Sequence, residues 1–108
     1  MFNSSVKNVS AEEAYRLIND GDKEFIIIDV RTKEEYDNGH IPGAKLVPVQ
    51  ILHMKLDELG VYKDKPVLVY CASGGRSPKA VNLLLKNKFG PIYHMNHGLS
   101  DFNGNLKK

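Results

Sequence analysis

Continuous apolar runs, each followed by a segment with the marks of a helix, restrict the fold of this chain more than any other feature. The clearest are EFIIIDV (24–30) and DKPVLVYC (64–71), in which apolar residues stand at consecutive rather than alternate positions. Strands of this kind are buried on both faces, which is typical of a parallel sheet covered by helices. The repeated succession of strand and helix therefore predicts an α/β protein with helices on both faces of a mostly parallel sheet.

Two capping boxes mark the starts of predicted helices. Ser10 stands three residues before Glu13, and Thr32 stands three residues before Glu35. In such a box the hydroxyl and the carboxylate each accept a hydrogen bond from a backbone amide that the first helical turn leaves free. The predicted elements, in chain order, are a helix over 9–20, a strand over 24–30, a short helix within 31–40, a short strand over 45–47, a helix that contains Leu52, Leu56 and Leu59, a strand over 64–71, a helix over 77–90, a strand over 91–95 and one or two helical turns within 98–105.

Length, charge and hydropathy narrow the class of protein. The 108 residues fit one domain, 1–108, with a single core of useful size. A net charge of +2 does not indicate a nucleic-acid partner, and the apolar runs are too short for a membrane helix. The first ten residues lack the apolar core of a secretory signal, which favours a cytoplasmic location unless a leader has been removed.

Cys71 is the only cysteine in the chain, so it forms no internal disulfide. Most free cysteines act as small buried hydrophobic residues, and that structural role is the ordinary interpretation. The position of Cys71 favours a functional role instead. It directly follows a predicted strand, and ligands of parallel sheets gather at the carboxyl ends of the strands.

The segment CASGGR (71–76), between this strand and the next helix, is suited to holding an anion. Gly74 and Gly75 permit backbone conformations that other residues avoid, and successive amides in such a turn can point inward. Arg76 and the helix start add positive potential, and Ser77, which precedes a proline, is the expected N-cap. These groups favour the thiolate over the thiol, whose pKa is ordinarily about 8.5. The cysteine is therefore predicted to be a reactive nucleophile.

Three segments resemble the rhodanese domain family, and together they cover nearly the whole chain. IIIDVRTKEEYDNGHIPGA (26–44) resembles the family's first signature, VLVYCASGGRSPKA (67–80) resembles its active-site segment, and IYHMNHGLSDF (92–102) resembles its closing segment. The closing segment of the family usually contains Glu-Gly-Gly, where this chain has NHG (96–98). This departure affects access for the acceptor and leaves the nucleophile in place.

The resemblance implies an α/β/α sandwich around a mainly parallel sheet of about five strands, and it implies sulfur transfer without a metal or other cofactor. Cys71 would take a sulfane sulfur from a small anionic donor such as thiosulfate and become a persulfide. It would then pass the sulfur to cyanide or a thiol, and a protein can also serve as donor or acceptor. The loop amides would cradle the outer sulfur, and the loop arginine would orient the donor. The implied substrate-binding residues are Ala72, Ser73, Gly74, Gly75, Arg76 and Ser77.

Two other functions stay open. A binding module would carry sulfur for a dedicated partner, or sense redox state through oxidation of Cys71, without turnover. A small cysteine phosphatase or arsenate reductase is disfavoured by loop length. Related enzymes of those classes have one residue more between cysteine and arginine, whereas four residues separate Cys71 from Arg76 here. By analogy with the family, the tighter ring suits a single added sulfur atom.

Other polar residues near these segments are interpreted as structural. Asp29 is expected to cap the turn that follows its strand, and Arg31 to pair with a carboxylate beneath the loop. His40 is expected to make a hydrogen bond that stabilises its turn. His94 and His97 are poorly spaced for a zinc site with Cys71.

Overall fold

A computed structural model describes residues 6–21, 23–102, 104 and 106–108 of the chain. The strands in these residues are β1 (Val6–Val9), β2 (Ile26–Asp29), β3 (Lys45–Leu46), β4 (Val67–Tyr70) and β5 (Ile92–Met95). They form one sheet in the order β1-β5-β4-β2-β3, and each neighbouring pair is parallel. Strand β4 therefore lies at the centre of the sheet, between β5 and β2.

Helices connect the strands, as the sequence predicts. In the described part of the chain they are α1 (Ala11–Asp20), α2 (Lys33–Asp37), α3 (Leu52–Leu59) and α4 (Ser77–Lys86), with short 3₁₀ turns over Val49–Ile51, Gly60–Tyr62 and Leu99–Asp101. Both predicted capping boxes are present. The Glu13 amide donates to the Ser10 hydroxyl at 3.0 Å, and the Glu35 amide donates to the Thr32 hydroxyl at 3.2 Å. Within the described residues no helix is long and apolar enough to cross a membrane.

The sheet is covered on both faces, which confirms the predicted three-layer arrangement. Val67 and Val69 of β4 belong to the apolar cluster that contains residues of α3 and α4. Leu68 and Tyr70, which point to the opposite face, belong to the cluster that contains residues of α1. Every residue of β4 is buried. Burial on both faces is the physical reason for the continuously apolar run in the sequence.

Strand β1 is absent from the predicted elements. Its first three residues are exposed and only Val9 is buried, so no apolar run marks it in the sequence. Its place in the sheet comes from parallel pairing with β5, in which Val6 lies opposite Ile92 and Val9 lies opposite Met95. An edge strand of this kind is held by backbone hydrogen bonds more than by a buried face.

Two helical boundaries also differ from the prediction. Helix α1 begins at Ala11 rather than at 9, because β1 includes Val9. Helix α4 ends at Lys86 rather than at 90, and Lys88 adopts a positive φ of 69° that the helix could not continue through. The turn predicted within 98–105 covers Leu99–Asp101, and its positions 103 and 105 lie outside the described residues.

A buried carboxylate at the end of β2 joins the loops at the carboxyl edge of the sheet. Asp29 accepts hydrogen bonds from the Arg31 amide at 3.0 Å and from the Arg31 guanidinium at 2.8 to 3.1 Å. The Tyr70 hydroxyl donates to Asp29 at 2.6 Å and accepts from the Ile41 amide at 3.1 Å. Arg31 also donates to the Gly39 carbonyl at 2.7 Å. The structural interpretation of Asp29 and Arg31 is confirmed.

His40 has the structural contact that the sequence predicts for it. Its Nδ1 lies 2.8 Å from the Tyr36 carbonyl, and its ring stacks on the Tyr36 ring with centroids 3.6 Å apart. Its backbone also pairs with that of Lys107 at 2.8 and 3.0 Å. His40 therefore stabilises the turn after α2 and the approach of the C-terminal segment.

We expect Tyr70→Phe to lower the free energy of unfolding by about 1–3 kcal/mol, because it removes a hydrogen bond from the buried Asp29 carboxylate and another from the Ile41 amide. Urea denaturation followed by circular dichroism measures the change. Tyr15→Phe is the matched control, since that residue is 45% exposed and should change stability by less than about 0.5 kcal/mol. Equal stability of Tyr70→Phe and the wild type would contradict this account of the Asp29 network.

Candidate active site

Cys71 directly follows β4, at the carboxyl edge of the central strand, and α4 begins at Ser77. Its side chain belongs to the cluster on the α4 face of the sheet, and the residue is only 1% exposed. The closing segment holds the start of the loop. The Leu99 amide donates to the Cys71 carbonyl at 2.9 Å, and the Ser100 amide donates to the Ala72 carbonyl at 3.2 Å. The main chain of the loop is thus fixed where it leaves the sheet.

The sulfur of Cys71 is buried among hydrogen-bond donors as well as apolar groups. The Gly74 amide donates to it at 3.1 Å, and the Ser77 hydroxyl lies 3.4 Å away. Burial by itself raises the pKa of this thiol. Hydrogen bonds from the Ser77 hydroxyl and from the amides of Arg76, Ser77 and Gly74 outweigh that effect, so the pKa of Cys71 lies below its usual value. A lowered pKa is the property that makes a cysteine nucleophilic.

Ser77 is not the N-cap of α4, and the sequence prediction is wrong on this point. Arg76 occupies the N-cap position without a capping hydrogen bond from its side chain, and Ser77 is the first helical residue. The Ser77 side chain is buried because it turns toward Cys71 and His94 rather than toward the amides of its own helix. Pro78 lies in the first turn, as predicted, where its missing N–H removes no helical hydrogen bond.

Glycines allow the loop and the closing segment to pass in contact. Gly74 has a φ of 94° and Gly98 a φ of 78°, values that favour glycine. A Cβ on Gly74 would collide with the Asn96 carbonyl, and one on Gly98 would collide with the Ala72 carbonyl. Gly75 has open space around it and no positive φ. The predicted need for glycine therefore holds at Gly74 and not at Gly75.

The guanidinium of Arg76 is held by Glu35 of α2. Its terminal nitrogens donate to the two carboxylate oxygens of Glu35 at 2.8 and 2.9 Å, and both side chains are 34% exposed. These hydrogen bonds from Arg76, against a smaller effect of burial, lower the pKa of Glu35 to about 2. The pair is therefore ionised at neutral pH. The positive charge of Arg76 is largely offset by this neighbour before any donor arrives.

The histidines of the closing segment lie in different environments. Nε2 of His94 is 2.6 Å from the Ser77 hydroxyl, and burial lowers the pKa of His94, so its imidazole is neutral at neutral pH. His97 is exposed to solvent. Across residues 6–21, 23–102, 104 and 106–108, no three His, Cys, Asp or Glu side chains lie close enough to share a metal ion.

The predicted substrate-binding residues surround the sulfur in different ways. Amides or hydroxyls that act on it come from Gly74, Arg76 and Ser77, whereas Ser73 and Gly75 are exposed to solvent. Contact of these residues with a substrate stays a prediction, as does a cradle that uses every amide of the loop.

Two residues from other elements, Glu35 and His94, contact this part of the chain, and the sequence does not predict these contacts. Glu35 is predicted only as part of a capping box, and no local signal shows that it also pairs with Arg76. His94 is considered only as a poorly placed zinc ligand. The alternation of side chains along β5, which puts His94 on the same face as the buried Ile92, is the signal that could have drawn attention to it.

Comparison with known proteins agrees with this geometry. The rhodanese-like domain family matches residues 10–105, and the chain therefore belongs to this family. It is 32% identical over 107 residues to the uncharacterized protein YqhL of Bacillus subtilis, which covers 99% of this chain and 81% of YqhL. A crystal structure of a rhodanese-like domain protein from Staphylococcus aureus superimposes with a TM-score of 0.80 and 30% identity, over 94% of this chain and 96% of that one.

Relatives with names that refer to sulfur are also similar to this chain. A protein of Bacillus subtilis named "Putative sulfur carrier protein YrkF" is 32% identical over 101 residues, which cover 94% of this chain and 53% of YrkF. A protein of Allochromatium vinosum named sulfurtransferase is 30% identical over 77 residues, which cover 71% of this chain and 70% of that protein.

We expect Glu35→Gln to destabilise the protein at neutral pH and to lose this effect in acid. Folding lowers the pKa of Glu35 from 4.5 to about 2. The carboxylate therefore contributes its stability above about pH 4.5 and loses it as the pH falls toward 2. Solvent screens this pair, so the expected loss at neutral pH is about 1 kcal/mol. Glutamine also serves in a capping box, which keeps the helix start intact.

Urea denaturation over a range of pH measures this effect. Glu34→Gln, at an exposed position of the same helix, is the control for a charge change without the ion pair. A destabilisation by Glu35→Gln that does not vary with pH would show that the Arg76 ion pair is not its cause.

Proposed function

We propose that the protein is a sulfurtransferase that carries a sulfane sulfur on Cys71 as a persulfide. The observation that carries this proposal is the sulfur at the carboxyl end of the central strand, with donors from Gly74 and Ser77 that lower its pKa. Such a thiolate is a nucleophile, and membership of the rhodanese-like family supports sulfur as the group transferred.

The reaction proceeds by two displacements. The Cys71 thiolate attacks the outer sulfur of a donor such as thiosulfate; a new S–S bond forms, the S–S bond of thiosulfate breaks, and sulfite leaves with the electron pair. A thiolate or cyanide then attacks the outer sulfur of the persulfide, and the Cys71 thiolate leaves. The hydrogen-bond donors that stabilise the attacking thiolate also stabilise the same thiolate when it leaves, so one preorganised loop serves both steps.

A sulfur carrier that exchanges only with a dedicated protein is the second candidate. The low exposure of Cys71 favours it, because little of this residue is open to a small donor that is free in solution. The name of the similar protein YrkF supports the same class, as the name of the protein from Allochromatium vinosum supports the first. Both candidates require the persulfide and differ in turnover.

We expect intact mass spectrometry after incubation with thiosulfate to show the gain of one sulfur atom on the wild type and none on Cys71→Ser. Because Cys71 is the only cysteine, the intact mass assigns the position without digestion. An unchanged wild-type mass with thiosulfate and also with an organic persulfide would contradict persulfide formation and both candidate functions.

Turnover separates the enzyme from the carrier. We expect continuous formation of thiocyanate from thiosulfate and cyanide, with a loss on the order of a thousandfold or more in Cys71→Ser, since the covalent intermediate cannot form. A single equivalent of product without further turnover would support the carrier. Steady release of phosphate from an aryl phosphate would instead support the phosphatase alternative and contradict the argument from loop length.

We expect Arg76→Ala to lower kcat/KM for thiosulfate by about tenfold, which corresponds to about 1.4 kcal/mol, and to leave an uncharged organic persulfide donor nearly unaffected. Loss of the guanidinium removes an orienting charge and also exposes the anionic donor to the carboxylate of Glu35. Lys79→Ala, at an exposed position in the first turn of α4, is the control for loss of one positive charge. Equal losses with both donors would contradict a role for Arg76 in donor orientation.

A further inference from the structure

The imidazole of His94 has no part in the two displacements, yet a single side chain joins it to the nucleophile. Its Nε2 lies 2.6 Å from Ser77 Oγ, and Ser77 Oγ lies 3.4 Å from Cys71 Sγ. All three residues are buried, with exposed fractions of 7%, 0% and 1%. They form a continuous chain of polar contacts that ends at the reacting sulfur and is shielded from water.

The direction of the hydrogen bonds in this chain follows from the number of hydrogens available. A serine hydroxyl donates one hydrogen and accepts through its lone pairs. When Cys71 is a thiolate it only accepts, so the hydrogen of Ser77 points at the sulfur. The 2.6 Å contact with His94 then needs a hydrogen on Nε2 of the imidazole. With that hydrogen on Nδ1, Ser77 would donate to His94 and direct a lone pair at the thiolate.

We propose that His94 is a positioning residue for the Cys71 thiolate: its Nε2–H donates to Ser77 Oγ and thereby directs the Ser77 hydrogen at Cys71 Sγ. The proposal rests on the proposed function, in which that thiolate attacks the donor and later leaves the persulfide. No proton is transferred to or from the imidazole in this role. His94 sets the orientation of the hydroxyl, and Ser77 makes the contact with the reacting atom.

The strand residues opposite His94 carry no titratable side chain. In the sheet, His94 lies opposite Val69 of β4 and Asn8 of β1, neither of which titrates. A cation that interacts with the sulfur is Arg76, which precedes α4 and is held by Glu35 of α2. Because substitution of His94 leaves this ion pair in place, a change in the thiol pKa reports the hydrogen-bonded chain.

Paired variants of His94 test the proposal through the pKa of Cys71, measured from the pH dependence of thiolate absorbance and of alkylation by iodoacetamide. The terminal amide of glutamine can place an N–H where Nε2 lies, whereas asparagine is too short. We expect His94→Asn to raise the pKa of Cys71 by about one unit, about tenfold less thiolate at a given pH. We expect His94→Gln to retain the wild-type value. His53→Asn, at an exposed position in α3, is the control.

A double-mutant cycle of His94 and Ser77 distinguishes a positioning role from general damage to the site. Ser77→Ala should raise the pKa of Cys71 about as far as His94→Asn does, and the double variant should match Ser77→Ala, because His94 acts through Ser77. Additive shifts in the double variant would overturn the proposal. So would an unchanged pKa in folded His94→Asn, or an equal rise in His94→Gln.

NMR of the imidazole nitrogens in the wild-type protein gives a test that needs no substitution. At a pH where Cys71 is ionised, the proton of the neutral His94 ring should be on Nε2, and a proton on Nδ1 would overturn the proposal. These measurements require neither donor nor acceptor. If the His94 variants change the pKa of Cys71 as expected but no persulfide forms, the proposed function is wrong. If the persulfide forms but the pKa of Cys71 does not change as expected, the role of His94 is wrong.

Discussion

Burial of the Cys71 sulfur among hydrogen-bond donors is the constraint on which the rest of the site depends. Removal of a thiolate from water is unfavourable unless hydrogen-bond donors replace the solvent. Here the replacement comes from the amides of Gly74, Arg76 and Ser77 and from the Ser77 hydroxyl. A hydrogen bond to a charged group contributes about 1.5–3 kcal/mol. A few such bonds are enough to offset burial, which explains why the lowered pKa of Cys71 needs no uncompensated charge.

The fold leaves these donors free for the sulfur because the closing segment binds the carbonyls at the start of the loop. Leu99 and Ser100 engage the carbonyls of Cys71 and Ala72 from outside the loop. The buried Asp29 at the end of β2 accepts a hydrogen bond from Tyr70 at the end of β4. It also binds Arg31, so it links the central strand to the residues that follow β2. Because the strands are parallel, their carboxyl ends meet at one edge. Groups that are distant in sequence therefore converge on one sulfur without a long excursion of the chain.

Local patterns were enough to predict the layers, most elements and the position of Cys71 at the end of a buried strand, because each has a local cause. The apolar run before Cys71 and the capping box at Ser10 are set by nearby residues. Strand β1 and the second role of Glu35 are not, since they depend on pairing with β5 and on the arginine that precedes another helix. Ser77 shows the limit most clearly. Its sequence position suits an N-cap, but a partner on β5 and the sulfur beside it draw its hydroxyl away from the helix start.

In the proposed function, the distribution of charge separates activation of the sulfur from selection of its donor. Activation relies on short hydrogen bonds in a buried loop, and salt screens such contacts little. The formal charges of Arg76 and Glu35 are about one-third exposed and largely cancel each other, so they add little to the potential at the sulfur while the pair is intact. In the proposed function, an anionic donor would draw the guanidinium away from Glu35 and so meet its positive charge only when the donor is present. We therefore propose that the ion pair serves donor recognition, whereas the chain from His94 through Ser77 serves the nucleophile.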